Sequence, residues 1–182
     1  MAALRHLLLC LLCLACGGQA GAQVAAHATG APPLPSDTSV KAAYLFRFIP
    51  YVDWPPAALS APEAPLVIGV FKSDEMLVEL AGIIVGRSVN GHPVLARKVS
   101  DSDALDDLHV LFVGRARLPA AMKERLHERP LLLVTEGRDA GGALSFLMVD
   151  GRVRFEAAPK VAERAGLKLS SRLLAIAERI AP

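Results

Sequence analysis

The sequence predicts one α/β domain, a sandwich in which a mixed, mostly parallel β-sheet carries helices on both faces and ends in a C-terminal β-hairpin. The chain's 182 residues are the length of one ordinary domain, and a composition that is 53% hydrophobic indicates a packed core. Short runs that are apolar on both faces alternate with helical segments, which is typical of covered parallel strands. Near the C-terminus, Asp150-Gly151 separates two alternating segments, which is the pattern of a hairpin.

Residues 1–22 are organised like a cleavable export signal. Arg5 precedes an apolar run over residues 7–15, which is too short to cross a bilayer, and Ala20-Gly21-Ala22 offers a cleavage site. All three cysteines fall in this segment, so the exported chain is expected to have no disulfide. Lipidation at Cys16 and a short buried N-terminal helix are the alternatives.

Residues 23–37 are predicted to form a flexible lead that carries Pro and Gly, and the domain proper is expected over residues 38–182. A helix is predicted to begin near Val40, with N-cap candidates over residues 36–39 and a broad apolar face. Pro50 removes one N–H donor and predicts a kink or an early stop.

The middle of the chain has the pattern of alternating strands and helices. Strands are expected at Leu66–Phe71, 94–99, 108–113 and 130–135, and helices over residues 73–81 and 119–126. Asn90-Gly91, just before the second of these strands, indicates a tight turn.

The C-terminal third has an antiparallel pattern, with strands expected at Leu144–Val149 and Arg152–Ala157. On the second of these strands Arg152, Arg154 and Glu156 share the face that points away from the core. This face is therefore expected either to be exposed to solvent or to contact other groups.

Two helices are predicted after the hairpin. Pro159 fits the first turn of a helix that ends at Gly166, and Ser170-Ser171 can cap the last one. The buried stripe of the last helix is expected at Leu173, Ile176, Ala177 and Ile180.

Several classes of function are disfavoured by the sequence. A net charge of +2 without clustered Lys or Arg argues against nucleic acid as a partner. Ser88 is one residue out of register for a nucleophile elbow, and no phosphate-binding glycine loop is present. The three histidines after residue 90 are too widely spaced to predict a zinc site, and the aspartates of residues 101–107 lack the glycine of a calcium loop. No catalytic residue, metal site or cofactor is therefore predicted.

Several stretches of the chain share the pattern of one known family. They lie at residues 40–48 (VKAAYLFRF), 52–55 (VDWP), 86–91, 110–113, 132–135, 152–156 (RVRFE) and 165–174 (AGLKLSSRLL). With these motifs the chain resembles the YfiR-like family of periplasmic regulators over roughly residues 38–177, and the last two stretches are the most specific. The chain departs from the family at Ala158, where asparagine is frequent, and at Pro50, where a polar residue is common.

The resemblance implies an α/β sandwich in the periplasm without enzymatic activity. It also implies binding to the periplasmic domain of an inner-membrane diguanylate cyclase, or of a similar sensor such as a sensor kinase, which the protein holds inactive. An outer-membrane lipoprotein that sequesters the regulator, and a homodimer, are further expectations from the family. A small-molecule-binding module associated with a transport or sensor system is the alternative function.

The candidate partner-binding residues are Phe46, Asp53, Trp54, Arg154, Glu156, Lys168, Ser170 and Ser171. Tyr51 and Trp54 either form an exposed aromatic anchor or close the core over one end of the sheet. Ser170 and Ser171 have the alternative role of capping the last helix.

Overall fold

An eight-stranded mixed β-sheet forms the centre of the fold. The computed structural model describes residues 34–59, 61, 63–126, 129–137 and 141–181. The predicted export signal and residues 23–33 of the predicted lead lie outside the described residues and stay predictions. The helices are α1 (Asp37–Phe48), α2 (Asp74–Ile84), α3 (Ala120–Leu126), α4 (Pro159–Arg164) and α5 (Ser171–Ala175). The strands are β1 (Val52–Asp53), β2 (Leu66–Phe71), β3 (Ser88–Val89), β4 (His92–Val99), β5 (Val110–Val113), β6 (Leu132–Glu136), β7 (Leu144–Val149), β8 (Arg152–Ala157), β9 (Lys168–Leu169) and β10 (Arg179–Ile180).

The strand order of the large sheet is β10-β8-β7-β6-β5-β2-β4-β3. The five strands from β7 to β4 run parallel, β8 is antiparallel to β7, and β10 is parallel to β8. Strand β3 turns back on β4 through Asn90-Gly91, and both of these turn residues have positive φ. The predicted mixed, mostly parallel sheet with a C-terminal hairpin is confirmed. In addition, β1 and β9 form a separate two-stranded antiparallel ribbon.

The sheet is packed on both faces, as predicted. One face carries the larger core, which receives side chains from α1, α2, α4 and α5. The other face carries a smaller core, which receives Met122 of α3 and loop residues such as Leu105. In the larger core the Phe48 ring lies 5.7 Å from that of Phe146 and 4.8 Å from that of Phe155, measured between centroids. Each such fully buried side chain contributes about 1.5–3 kcal/mol through removal of apolar surface from water.

Helix α1 begins at Asp37, three residues before the predicted start. The Ser36 side chain accepts a hydrogen bond from the backbone N–H of Ser39, which satisfies one of the free donors of the first turn. Helix α1 ends at Phe48, and Ile49–Tyr51 form a single 3-10 turn around Pro50. The expected early stop at this proline is therefore confirmed.

The prediction for the last helix is wrong beyond its first turn. Helix α5 ends at Ala175, and of the expected stripe Leu173 is buried, whereas Ile176 and Ile180 are 64% and 54% exposed. The helical spacing of these apolar residues is overridden by strand pairing, because residues 178–181 run along β8. The N–H of Glu178 donates to the carbonyl of Phe155, and the N–H of Ala181 donates to that of Ala157. These hydrogen bonds satisfy some of the backbone carbonyl groups along the edge of β8.

Candidate functional site

The ribbon of β1 and β9 brings together candidate residues from the two ends of the domain. Val52 pairs with Leu169, and Asp53 pairs with Lys168. Val52 and Leu169 are buried in the larger core, whereas Asp53 and Lys168 are exposed. This alternation follows from the two-residue repeat of a strand, since neighbouring side chains point to opposite faces. The ribbon is therefore anchored by its apolar pair and presents its charged pair to solvent.

The residues that follow β9 fix this ribbon further. The N–H of Ser170 donates to the carbonyl of Tyr51 at 2.9 Å, which extends the pairing by one residue. The Ser170 hydroxyl accepts from the N–H of Leu173 and caps α5, as the sequence predicted for this motif. Ser171 is exposed at the first position of α5. We call Tyr51, Asp53, Lys168 and Ser171, which are all exposed, the ribbon surface.

The two aromatic candidates have packing roles. Trp54 is half-buried, packs against the larger core, and places its ring edge-on to that of His109 at 6.1 Å between centroids. His109 is fully satisfied, because its Nδ1 accepts from the N–H of Val67 and its Nε2–H donates to the carbonyl of Ala58. Phe46 is also half-buried, and the Arg87 guanidinium lies over its ring at 5.5 Å from the centroid.

The two candidates on β8 lie beside the C-terminal strand. Glu156 is only 6% exposed, and its carboxylate accepts a hydrogen bond from Nε of Arg179 at 2.7 Å. Arg154 is half-exposed, and its Nε lies 3.6 Å from a carboxylate oxygen of Glu178. The outward face of β8 is thus engaged by the protein's own C-terminal segment at both positions.

A buried ion pair at the end of β6 was missed by the sequence reasoning. Lys41 of α1 is 5% exposed, and its Nζ donates to Oε1 of Glu136 at 3.1 Å. The other oxygen, Oε2, accepts from Nε of the exposed Arg115 at 3.3 Å. A signal was present in the sequence, because Lys41 lies on the same helical face as the buried Leu45 and Phe48. A charged residue on such a face needs a partner.

Arginine side chains hold the acidic segment between β4 and β5 in place through hydrogen bonds. Arg97 of β4 donates to both carboxylate oxygens of Asp107 and to the carbonyl of Ala104. These hydrogen bonds raise the pKa of Arg97 and lower the pKa of Asp107. The Ser100 hydroxyl and N–H donate to Asp103 and lower its pKa. This segment is therefore held by hydrogen bonds to protein groups.

The described residues include neither a metal-binding cluster nor a membrane-spanning helix. Within that part of the chain, no group of three or more His, Cys, Asp or Glu side chains is arranged to hold a metal ion. No helix among those residues is both long enough and apolar enough to span a membrane.

Comparison with known proteins identifies the family. No curated protein matches the sequence closely enough to be recognised as a relative. A family model described as YfiR/HmsC-like matches residues 38–178. The match includes both strands of the ribbon and the Lys41–Glu136 ion pair, and it confirms the resemblance seen in the sequence. The chain belongs to the YfiR/HmsC-like family.

Proposed function

We propose that this protein is a non-catalytic regulator in the periplasm. It binds and represses the periplasmic domain of an inner-membrane diguanylate cyclase or of a similar signalling protein, such as a sensor kinase. Family membership supports this function, because proteins of the YfiR/HmsC-like family are known as periplasmic regulators of diguanylate cyclases. The export signal predicted over residues 1–22 is consistent with this location.

The observation that carries the proposal is the ribbon surface. Three of its four residues, Asp53, Lys168 and Ser171, come from two stretches that carry the family pattern, 52–55 and 165–174. The buried pair Val52 and Leu169 holds the backbone of the patch in place, so the backbone loses little conformational entropy when a partner binds. Tyr51 contributes an aromatic ring of the kind that is enriched in binding hot spots.

Repression requires a difference in affinity between two states of the partner. A regulator that binds both states equally shifts no equilibrium, and a shift from 1:99 to 99:1 requires roughly 10⁴-fold tighter binding to the inactive state. The opposite charges of Asp53 and Lys168 can contribute to such discrimination where the inactive state presents complementary charges and the active state does not.

An outer-membrane lipoprotein that occupies the same surface would relieve the repression by competition. Homodimer formation through the ribbon surface would have the same consequence. In both cases the free concentration of the regulator sets the cyclase activity, since binding follows mass action.

The test combines a capture experiment with a cellular readout. The tagged protein is used to isolate partners from solubilised envelope, and cyclic-di-GMP is measured in cells that lack the gene. We expect recovery of a membrane cyclase or sensor and a raised cyclic-di-GMP level after deletion, restored by the intact gene. Capture of no membrane signalling protein together with an unchanged level would overturn the proposal.

A further inference from the structure

A cavity of about 440 Å³ opens between α3 and α4, and none of its lining residues belongs to the ribbon. Its walls are mainly apolar and include Leu126, Leu131, Leu133 and Val161. This volume lies within the range of about 300–1,000 Å³ that is usual for small-molecule sites, which are also mostly apolar. The cavity is therefore large enough for an organic ligand.

Two cations, Lys123 of α3 and Arg164 of α4, line the same cavity. Both are exposed, and neither has an ion pair or a side-chain hydrogen bond with another residue in the described part of the chain. By contrast, Arg97, Arg129 and Arg154 are each paired with a carboxylate. The cavity thus combines apolar walls with two positive charges that have no counter-charge among the described residues.

We propose that the α3–α4 cavity binds an amphipathic monocarboxylate, such as a medium-chain fatty acid. Its hydrocarbon part packs against the leucines, and its carboxylate accepts hydrogen bonds from Lys123 and Arg164. A compact inorganic anion would leave the apolar walls unfilled, and a neutral hydrocarbon would leave both cations unpaired. This inference goes beyond the proposed function and does not depend on it.

The test is a titration of the purified protein with octanoate, decanoate and dodecanoate below their micelle concentrations, followed by calorimetry. Each buried methylene is expected to tighten binding roughly fourfold until the cavity is filled. Dodecanol, which keeps the chain but lacks the charge, is expected to bind at least roughly tenfold more weakly than dodecanoate. Equal affinity for acid and alcohol, or affinity that does not change with chain length, would overturn the proposal.

Charge variants locate the site. Lys123→Gln and Arg164→Gln are each expected to weaken dodecanoate binding at least roughly tenfold and to leave dodecanol binding unchanged. Lys160→Gln is the matched control, because Lys160 is an exposed cation of α4 that does not line the cavity. Leu133→Trp, which fills the cavity from β6, is expected to abolish binding of both ligands. An equal loss of dodecanoate binding in the Lys160 variant would show nonspecific attraction of the anion to positive charge and would refute the proposal. Association of two chains without fatty-acid binding would show that a protein occupies the cavity and would also refute the proposal.

Discussion

Asp53 and Lys168 lie directly opposite each other in the antiparallel ribbon of β1 and β9, although they come from opposite ends of the folded domain. Both side chains are exposed, and neither has a hydrogen bond or an ion pair to another side chain among the described residues. An opposite-charge pair across two strands contributes only about 0.2–1 kcal/mol to stability. The charges at this position can therefore be changed without loss of the fold.

The first prediction concerns Lys168→Glu in the ribbon surface. This variant is expected to bind the partner's periplasmic domain more weakly, mainly through slower association, because charges at an interface rim steer encounter. The free energy of unfolding is expected to change by no more than about 1 kcal/mol. Association rates at low and high salt and urea unfolding curves measure the two effects.

Lys160→Glu is the control for this prediction, since it makes the same charge change at an exposed position of α4. The double variant Asp53→Lys with Lys168→Glu restores an opposite-charge pair in the ribbon but reverses its direction. We expect stability to recover in the double variant and binding to remain impaired. Equal loss of binding in the Lys160 and Lys168 variants would mean that net charge matters and the ribbon does not.

The second prediction concerns the buried pair of Lys41 and Glu136. Glu136→Gln leaves the buried ammonium of Lys41 without its counter-charge, and breaking a buried pair in this way costs about 3 kcal/mol or more. Lys41→Met keeps the apolar stem, and Glu136 retains Arg115 as its partner, so this variant is expected to cost about 1 kcal/mol. Urea unfolding of both variants measures this asymmetry.

The double variant Lys41→Met with Glu136→Gln completes the cycle. It is expected to be more stable than Glu136→Gln alone, because the uncompensated buried charge has been removed. Arg115→Gln is the surface control, since the side chain of Arg115 is 82% exposed. A Lys41→Met variant as unstable as Glu136→Gln would contradict the expectation that Arg115 compensates Glu136 once Lys41 is lost.

The parts of the fold that were predicted correctly are those with local signals. The bounds of β2, β7 and β8 agree with the prediction because apolar runs and the Asp150-Gly151 turn mark them within a few residues. The strands β1, β9 and β10 were missed, since each is two residues long and is defined by a partner far away in the sequence. No local pattern marks such a strand.

Residues of the candidate site were predicted from the sequence, but their arrangement in space was not. Asp53 and Lys168 were predicted from separate motifs, and the ribbon pairs them. Glu156 was predicted from the outward face of β8, where the C-terminal strand buries it against Arg179. We therefore leave Glu156 out of the proposed contact surface. Alternation along a strand shows which face a side chain takes, but it does not show which later segment covers that face.

The third prediction concerns Gly114, which follows β5. Its N–H donates to the carbonyl of Phe71, and a Cβ at this position would lie 2.5 Å from the carbonyl oxygen of Lys72. Because the obstacle is backbone, Gly114→Ala is expected to lower the free energy of unfolding by about 1–3 kcal/mol. Gly82→Ala in α2 is the control, since nothing lies within 4 Å of its Cβ position. It is expected to stabilise the protein by about 0.5–1 kcal/mol. Stabilisation by both substitutions in thermal unfolding would contradict the close approach at Gly114.

The fourth prediction concerns stability in acid and rests on the segment between β4 and β5. Hydrogen bonds from Arg97 hold the pKa of Asp107 below its ordinary value, and Ser100 does the same for Asp103. A carboxyl whose pKa is lowered by folding contributes stability that is present above its unfolded pKa of about 3.9 and is lost as pH falls through its folded pKa. The free energy of unfolding is therefore expected to decrease below about pH 4.

Arg97→Gln is expected to make this acid dependence shallower, because the pKa of Asp107 then moves back toward its unfolded value. The effect at neutral pH is limited to about 1 kcal/mol, since the Asp107 side chain is 52% exposed and solvent screens the pair. Arg117→Gln, which removes another exposed arginine, is the control for net charge.

Urea unfolding from about pH 6 to about pH 2 measures the slope of stability against pH for each protein. If the two variants have the same slope as the unchanged chain, Arg97 does not lower the pKa of Asp107. If both become shallower to the same degree, the cause is net charge, and the hydrogen bonds of Arg97 are not responsible.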